Sequence, residues 1–415
     1  MRDITIVGAG QAGLVLATGL LDAGYHVTIV TAESAEAIAA GPIRSTQGMF
    51  HDALEIERGL HLDRWSDRAP AIDALQFAML GADGRPAFAW CATLDAPAAS
   101  VDQRLKFPAW MRLLEARGAA LTVESVDVAA LDELAQRSDL LVVAAGKGAV
   151  GRLFARDAAR SPFDAPQRAL AVCAVHGVRP YDPVRVSFSV VPGAGEFFCV
   201  PGLTAGGPCD YLFFEAVPGG PLDRFAAVTA PNERFALMLE LLERFVPAEF
   251  ARCAGARLTD DGATLAGRFA PEVRDPVARL PSGALAFGLA DTVVLNDPIT
   301  GQGSNNATKA AAAYLRAIVE RGDEPLFDEA WMRATFERHW REYAAWSTAF
   351  TNALLQPPPP HVQRFLLEAT WKPSLRCAFA NGFNNPPDLF PWLGDPAACA
   401  AMIDAAAPQE DAERV

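Results

Sequence analysis

The run Gly8-Ala9-Gly10-Gln11-Ala12-Gly13 directly follows the apolar stretch Asp3-Ile4-Thr5-Ile6-Val7 and opens a segment with Leu14, Leu16, Leu20 and Leu21 at helical spacing. Few backbones satisfy that pattern. Gly8 permits a tight turn, Gly10 lets the chain approach a pyrophosphate, and Gly13 lets helix and strand pack closely. The helix start then offers unpaired N–H groups and the positive end of its dipole to phosphate. Gly24 stops the helix, and the β-branched run His26–Thr31 reads as a second strand. A dinucleotide-binding β-α-β unit is expected here. Thr31 stands where an acid would hold a ribose, with Glu33 two residues on, so a threonine hydroxyl is left for that contact.

Either NAD or FAD suits such a unit, and a distant segment bears on the choice. Asp291 is followed by Asp297-Pro298-Ile299-Thr300-Gly301-Gln302-Gly303-Ser304-Asn305-Asn306-Ala307 at the start of a helix expected near 302–320. Taken alone, this is also an ordinary glycine-rich helix start. It resembles the second FAD signature of flavoprotein monooxygenases, in which the Asp binds the ribityl chain and the turn caps a helix aimed at the isoalloxazine. Ala290 replaces the glycine usual before that Asp. A third cluster, Gly146-Lys147-Gly148-Ala149-Val150-Gly151, also follows a strand and offers an alternative NADH site. No long helix and no suitably spaced acid come after it, so Ala145 and Gly146 are read as a strand-end turn against the FAD. Asp83-Gly84 lies too early for the Asp-Gly motif of single-component hydroxylases and reads as a hairpin turn. Electrons are therefore expected from a separate reductase that supplies reduced FAD.

A chain of 415 residues, 51% of them hydrophobic, can bury a large core, with two interlocked domains expected. A net charge of -14 disfavours nucleic acid and anionic membranes as partners. No signal peptide or spanning segment is legible, and the seven scattered cysteines read as free thiols of a reducing cytoplasm rather than a metal site. Strands and helices alternate up to about residue 144, with a helix near 51–60 and one near 101–117 interrupted by Pro108. Alternating strands at 74–80, 168–176, 184–191, 196–200 and 211–217 read as an antiparallel sheet. A helix at 231–246 and strands near 264–274 and 284–289 follow, then a helical end broken by Pro357–Pro360.

Several segments together resemble the styrene and indole monooxygenase family of two-component FAD-dependent epoxidases. They are residues 6–13, Ser-Val-Asp-Gln-Arg-Leu-Lys-Phe-Pro-Ala-Trp-Met (100–111), Asp-Leu-Leu-Val-Val-Ala-Ala-Gly-Lys-Gly (139–148), Arg-Ser-Pro-Phe-Asp-Ala-Pro-Gln-Arg-Ala-Leu (160–170) and Asp-Pro-Ile-Thr-Gly-Gln-Gly-Ser-Asn (297–305). The resemblance implies an α/β chain of glutathione-reductase-type flavoprotein monooxygenase fold. Its Rossmann-like FAD domain would comprise 1–70, 100–165 and 275–325, its antiparallel substrate domain 71–99 and 166–274, and its helical C-terminal region 326–415. Contacts to FAD are implied for Gly8, Gly10, Gln11, Ala12, Gly13, Thr31, Ser45, Ala145, Gly146, Asp291, Pro298, Gly301, Gln302, Gly303, Ser304 and Asn305. Arg44 and Arg104 fit either cofactor contact or surface salt bridges.

Within the family, Ser45-Thr46-Gln47-Gly48-Met49 is similar to the Ser-x-Gln-x-Met pattern of the indole branch, and Ile72, Leu75 and Ala98 fall where that branch differs from the styrene branch. Sliding the loop by one place would instead put His51 on the styrene-type His. Ser45, Gln47, Met49, Ile72, Leu75 and Ala98 are thus expected around the substrate. Without the resemblance, Met49, Ile72 and Leu75 would read as core and Ser45 and Gln47 as loop. The implied reaction is epoxidation of indole at its 2,3 bond, leading to indoxyl and indigo, by the C4a-hydroperoxide that reduced FAD forms with O2. The expected partners are indole, O2 and an NADH-dependent flavin reductase, with a homodimer possible. No acid/base residue and no metal is needed, and His176, His339 and His361 read as structural. The rivals are a styrene-type epoxidase, an FAD-linked dehydrogenase and a non-enzymatic flavin carrier.

Overall fold

A computed structural model describes residues 2–45, 47–146, 150–323, 326–390 and 392–408. Thr46 of the expected pocket loop and Lys147, Gly148 and Ala149 of the third glycine cluster lie outside the described residues.

Asp3–Val7 pairs in parallel with His26–Thr31 and with Leu140–Val143, in a six-stranded sheet whose remaining members are Ala120–Val123, Leu285–Gly288 and the antiparallel edge Val277–Arg279. Strands such as Leu140–Val143 are buried along their whole length because helices cover both faces, which explains their continuous apolar sequence. The helices Gln11–Asp22, Gln103–Ala116 and Gln302–Arg321 pack here around Leu16, Trp110 and Tyr314. Pro108 lies inside Gln103–Ala116 and does not interrupt it, contrary to expectation. Burial of Phe107, Trp110, Met111 and Leu114 on one face outweighs the lost N–H.

The second sheet has nine strands. At its centre Ile72–Leu80, Arg185–Val191, Gly195–Thr204, Gly207–Ala216 and Ala169–His176 lie side by side in that order, antiparallel except for the first pair. Successive side chains feed different cores. Leu170, Val172, Phe198 and Phe213 pack on the side of the C-terminal helices, whereas Ala171, Cys173, Phe197 and Phe214 pack under the helix Pro231–Phe245.

Two expectations change. The hairpin turn at Asp83-Gly84 leads into a return strand whose length was not foreseen, Pro86–Ser100, whose six alanines and two prolines carry little strand propensity. The strand expected near 264–274 is two short ones, Thr264–Gly267 and Glu272–Val273, because the residues between them border a cavity instead of pairing. The end of the chain is helical as expected, with Pro360 at the first position of the helix Pro360–Glu368.

Candidate active site

Gly8 has φ +119°, and a Cβ there would meet the Ala144 carbonyl oxygen at 2.7 Å; at Gly13 it would meet the Gly8 carbonyl oxygen at 2.0 Å. Both positions demand glycine. Among the described residues a Cβ on Gly10 would meet no atom within 4 Å and the helix that Gly10 precedes has no side-chain cap, so its first N–H groups are left for another partner. Gly301 is left-handed at φ 64° and starts Gln302–Arg321, likewise without a side-chain cap. Two uncapped helix starts on glycine turns fit the phosphates and the polar ring edge of a flavin dinucleotide.

Gly146 joins the two motifs in space, since a Cβ on it would lie 2.7 Å from the Asp291 carbonyl carbon. Gly151–Leu153, just after that turn, forms a single 3-10 turn rather than a long helix. The third cluster is thus part of the same wall as Asp291. Ala290 has φ 53°, a left-handed backbone that costs a residue with a Cβ about 1 kcal/mol and explains why glycine is usual before the acid.

A cavity of about 720 Å³ runs from this wall into the second sheet. Arg44, Ser45, Gly146, Asp291, Pro298, Gly301, Gly303 and Ser304 border it on one side. Ile72, Leu75 and Ala98 border it on the other, with a set of apolar side chains that sequence reasoning missed: Phe50, Phe198, Phe213, Phe269 and Phe383. The doublets Phe197-Phe198 and Phe213-Phe214 carried a signal, because adjacent aromatic residues in a strand face opposite sides. Which side is the cavity depends on the packing of the sheet.

Gln47 and Met49 are not on the cavity, and the reason is strand parity. The Asn305 side chain donates to the Gly48 carbonyl oxygen and accepts from the Phe50 N–H, both at 2.8 Å, which sets Gly48 and Phe50 against the cavity. Their odd-numbered neighbours turn away. Met49 is buried with Ala53 and Leu54 beside a separate small hollow of about 70 Å³. Gln47, only 2% exposed, donates to Gln11 Oε1 at 3.4 Å.

Gln11 belongs to a buried polar chain behind the wall. Its amide donates to Glu57 at 2.6 Å and to Thr308 at 2.8 Å, while Lys106, itself 2% exposed, donates to the same Glu57 oxygen at 2.5 Å. The Gln302 side chain is equally committed, accepting from Tyr343 and donating to the Phe383 carbonyl oxygen, each at 2.7 Å. These side chains hold the turns from behind, leaving backbone groups and Ser304 toward the cavity. Asp297 caps the Ile299 N–H at 3.1 Å, and burial pushes its carboxyl up to about 6.

The two arginines are engaged with protein. Arg44 forms a two-pronged pair with Glu33, which holds the Glu33 carboxyl below its ordinary range, yet Arg44 still borders the cavity. Arg104 bonds Asp102 at 2.7 Å, Asp260 at 2.8 Å and the Gly41 carbonyl oxygen, and does not border the cavity. The Thr31 hydroxyl bonds its neighbour Glu33 at 3.4 Å. Ala12 sits in the core around the first sheet, and Ala145, half-buried, packs against it. His339, expected to be structural, is buried against Asn306, and burial lowers it to about 4, so it is neutral near pH 7.

The family model for the substrate-binding domain of styrene monooxygenase A matches residues 146–252. The chain is 32% identical over 408 residues to styrene monooxygenase StyA of Pseudomonas fluorescens, covering 93% of both chains, and a Pseudomonas sp. StyA matches equally. Among solved structures, the flavin-dependent brominase Bmp2 superposes with a TM-score of 0.62 at 15% identity, over 97% of this chain and 98% of that one. The 2-methyl-3-hydroxypyridine-5-carboxylic acid oxygenase gives 0.58 at 18% identity, over 85% and 91%. The structural likenesses establish the α/β flavoprotein fold.

Proposed function

The chain belongs to the styrene monooxygenase family and is an FAD-dependent monooxygenase, and from that premise we propose that it epoxidises indole at the 2,3 bond with reduced FAD delivered by a separate flavin reductase. The observation that carries this reading is the continuity of the cavity, whose wall joins the Pro298–Ser304 turn to Ile72, Leu75, Phe198 and Phe213. Reduced FAD, when bound, supplies the electrons that activate O2 for transfer of one oxygen atom to an electron-rich double bond.

The chain's own residues bind, orient and exclude water. The helix starts after Gly10 and Gly301 present N–H groups to the cofactor. Aliphatic and aromatic walls hold a flat apolar substrate and keep water from the reacting atoms. Ser45 borders the cavity, and in this reading its hydroxyl accepts the indole N–H. The Asn305 side chain keeps Phe50 in the wall by accepting from the Phe50 N–H and donating to the Gly48 carbonyl oxygen. A division of the chain into an FAD unit and a substrate unit accompanies this reading, and the single turn after Gly151 supports an external source of electrons.

A vinyl-arene substrate of the styrene type is the second reading. It is favoured by the withdrawal of Gln47 and Met49 from the cavity, which removes two of the side chains that pointed to indole. The test is a parallel assay of the purified protein with FAD, O2, a generic NADH:FAD reductase and catalase, offered indole or styrene. Blue pigment from indole with weaker styrene oxide formation is expected. Strong styrene epoxidation with little indigo would overturn the indole assignment.

A further inference from the structure

Asn296 stands immediately before the Asp297-Pro298 turn and forms part of the cavity wall, yet it is 94% buried, being 6% exposed. Its carbonyl oxygen is occupied, accepting from the Thr348 hydroxyl at 3.0 Å. Thr348 belongs to the helix Ala345–Leu354 and does not border the cavity, so this bond ties one end of the amide to the protein behind the wall. The other end, Nδ2, has no hydrogen-bond partner among the described residues. A buried amide NH2 left unpaired is destabilising, because it has given up water without gaining a partner. Neighbours in the wall such as Leu295, Pro298 and Ile299 offer no side-chain acceptor.

We propose that Asn296 is a ligand-binding residue whose Nδ2 donates a hydrogen bond to an acceptor oxygen or nitrogen of a molecule bound in the cavity. Two sources of that acceptor share the chemistry: the ring system of the flavin, and a substrate or product that carries oxygen. Facing the apolar sheet side chains Leu170, Val172, Phe198 and Phe213, such a donor biases the cavity toward aromatic ligands that bear an acceptor. It also fixes their orientation, because the Thr348 bond fixes the amide. The inference rests on the reading of the cavity as the FAD and substrate site.

The experiment compares wild type with Asn296→Leu, near in volume and without a donor, and with Asn296→Ala in case the leucine does not fold; circular dichroism checks folding. FAD affinity and the flavin absorption spectrum are measured first. Binding of acetophenone and of ethylbenzene to the FAD-loaded protein follows, by calorimetry; the two probes match in shape and differ in the carbonyl acceptor. If the acceptor is the ligand's, the variants weaken acetophenone about tenfold while ethylbenzene is unchanged. If it is the flavin's, FAD affinity falls about tenfold or the spectrum shifts while the ratio of the two probes holds. If neither moves in a folded variant, Asn296 is not a ligand donor. Failure of the wild type itself to bind FAD or either probe would overturn the cavity reading, and this inference with it.

Discussion

The two walls of the cavity are built on opposite principles. The wall read as the cofactor's is mostly backbone: a Cβ on Gly146 would strike the Asp291 main chain, and Gly8 and Gly13, which do not themselves border the cavity, are packed as tightly, with a dense polar layer of Gln11, Glu57, Lys106, Gln302 and Asn305. The wall read as the substrate's is mostly one face of a sheet, made of apolar side chains from strands far apart in sequence and held by backbone ladders instead of side-chain hydrogen bonds. A phosphate-binding turn must place N–H groups within tenths of an ångström, whereas an apolar wall needs only shape and volume. Substitutions in the first should therefore damage stability and FAD binding, and substitutions in the second should redirect substrate.

The largest effect is expected from Lys106→Met. It leaves the Glu57 carboxylate buried with only an amide donor, at a cost of about 3–5 kcal/mol. Urea unfolding measures it, and a double change with Glu57→Gln should recover most of the loss; no recovery would mean that Lys106 acts through packing on Trp110 instead. Gly13→Ala comes next. Relieving a 2.0 Å clash with the Gly8 carbonyl should cost about 3 kcal/mol, read as a hundredfold or greater loss of FAD affinity in fluorescence titration.

Asp297→Asn sharpens the contrast in the opposite direction. Because burial raises the folded carboxyl to about 6, above its unfolded value, the native state holds the proton more tightly. Stability therefore falls as pH rises through roughly 4 to 6 and is level above. The asparagine variant, which can still cap Ile299, should gain on the order of 2 kcal/mol at pH 8 and nothing at pH 4. An equal gain at both values would dissociate the cost from ionisation. The smallest effect is predicted for Ala98→Leu, which narrows the apolar side. A drop of about tenfold in kcat/KM for indole or styrene is expected with unchanged FAD affinity; a matching loss of FAD affinity would show that the two walls are not separable.

What was legible in the sequence follows the same division. Gly8, Gly10, Gly13 and Gly301 could be read because turn sterics and helix-end dipoles are properties of contiguous residues. The pocket residues could be placed only in part. Ser45, Ile72, Leu75 and Ala98 do border the cavity, but Gln47 and Met49 do not, because Asn305, more than 250 positions away, decides which face of residues 47–50 is turned inward. Arg104 fitted either a cofactor contact or a salt bridge, and its pairing with Asp260 comes from a loop more than 150 positions away.

By itself, then, the sequence determined a β-α-β unit opened by a glycine turn, a second glycine turn before the helix Gln302–Arg321 and a net charge of -14, since each follows from local spacing or from composition. Tertiary structure alone decided which side chains make the apolar wall of the cavity. A strand offers two faces of equal claim, and only the neighbours supplied by other parts of the chain choose between them.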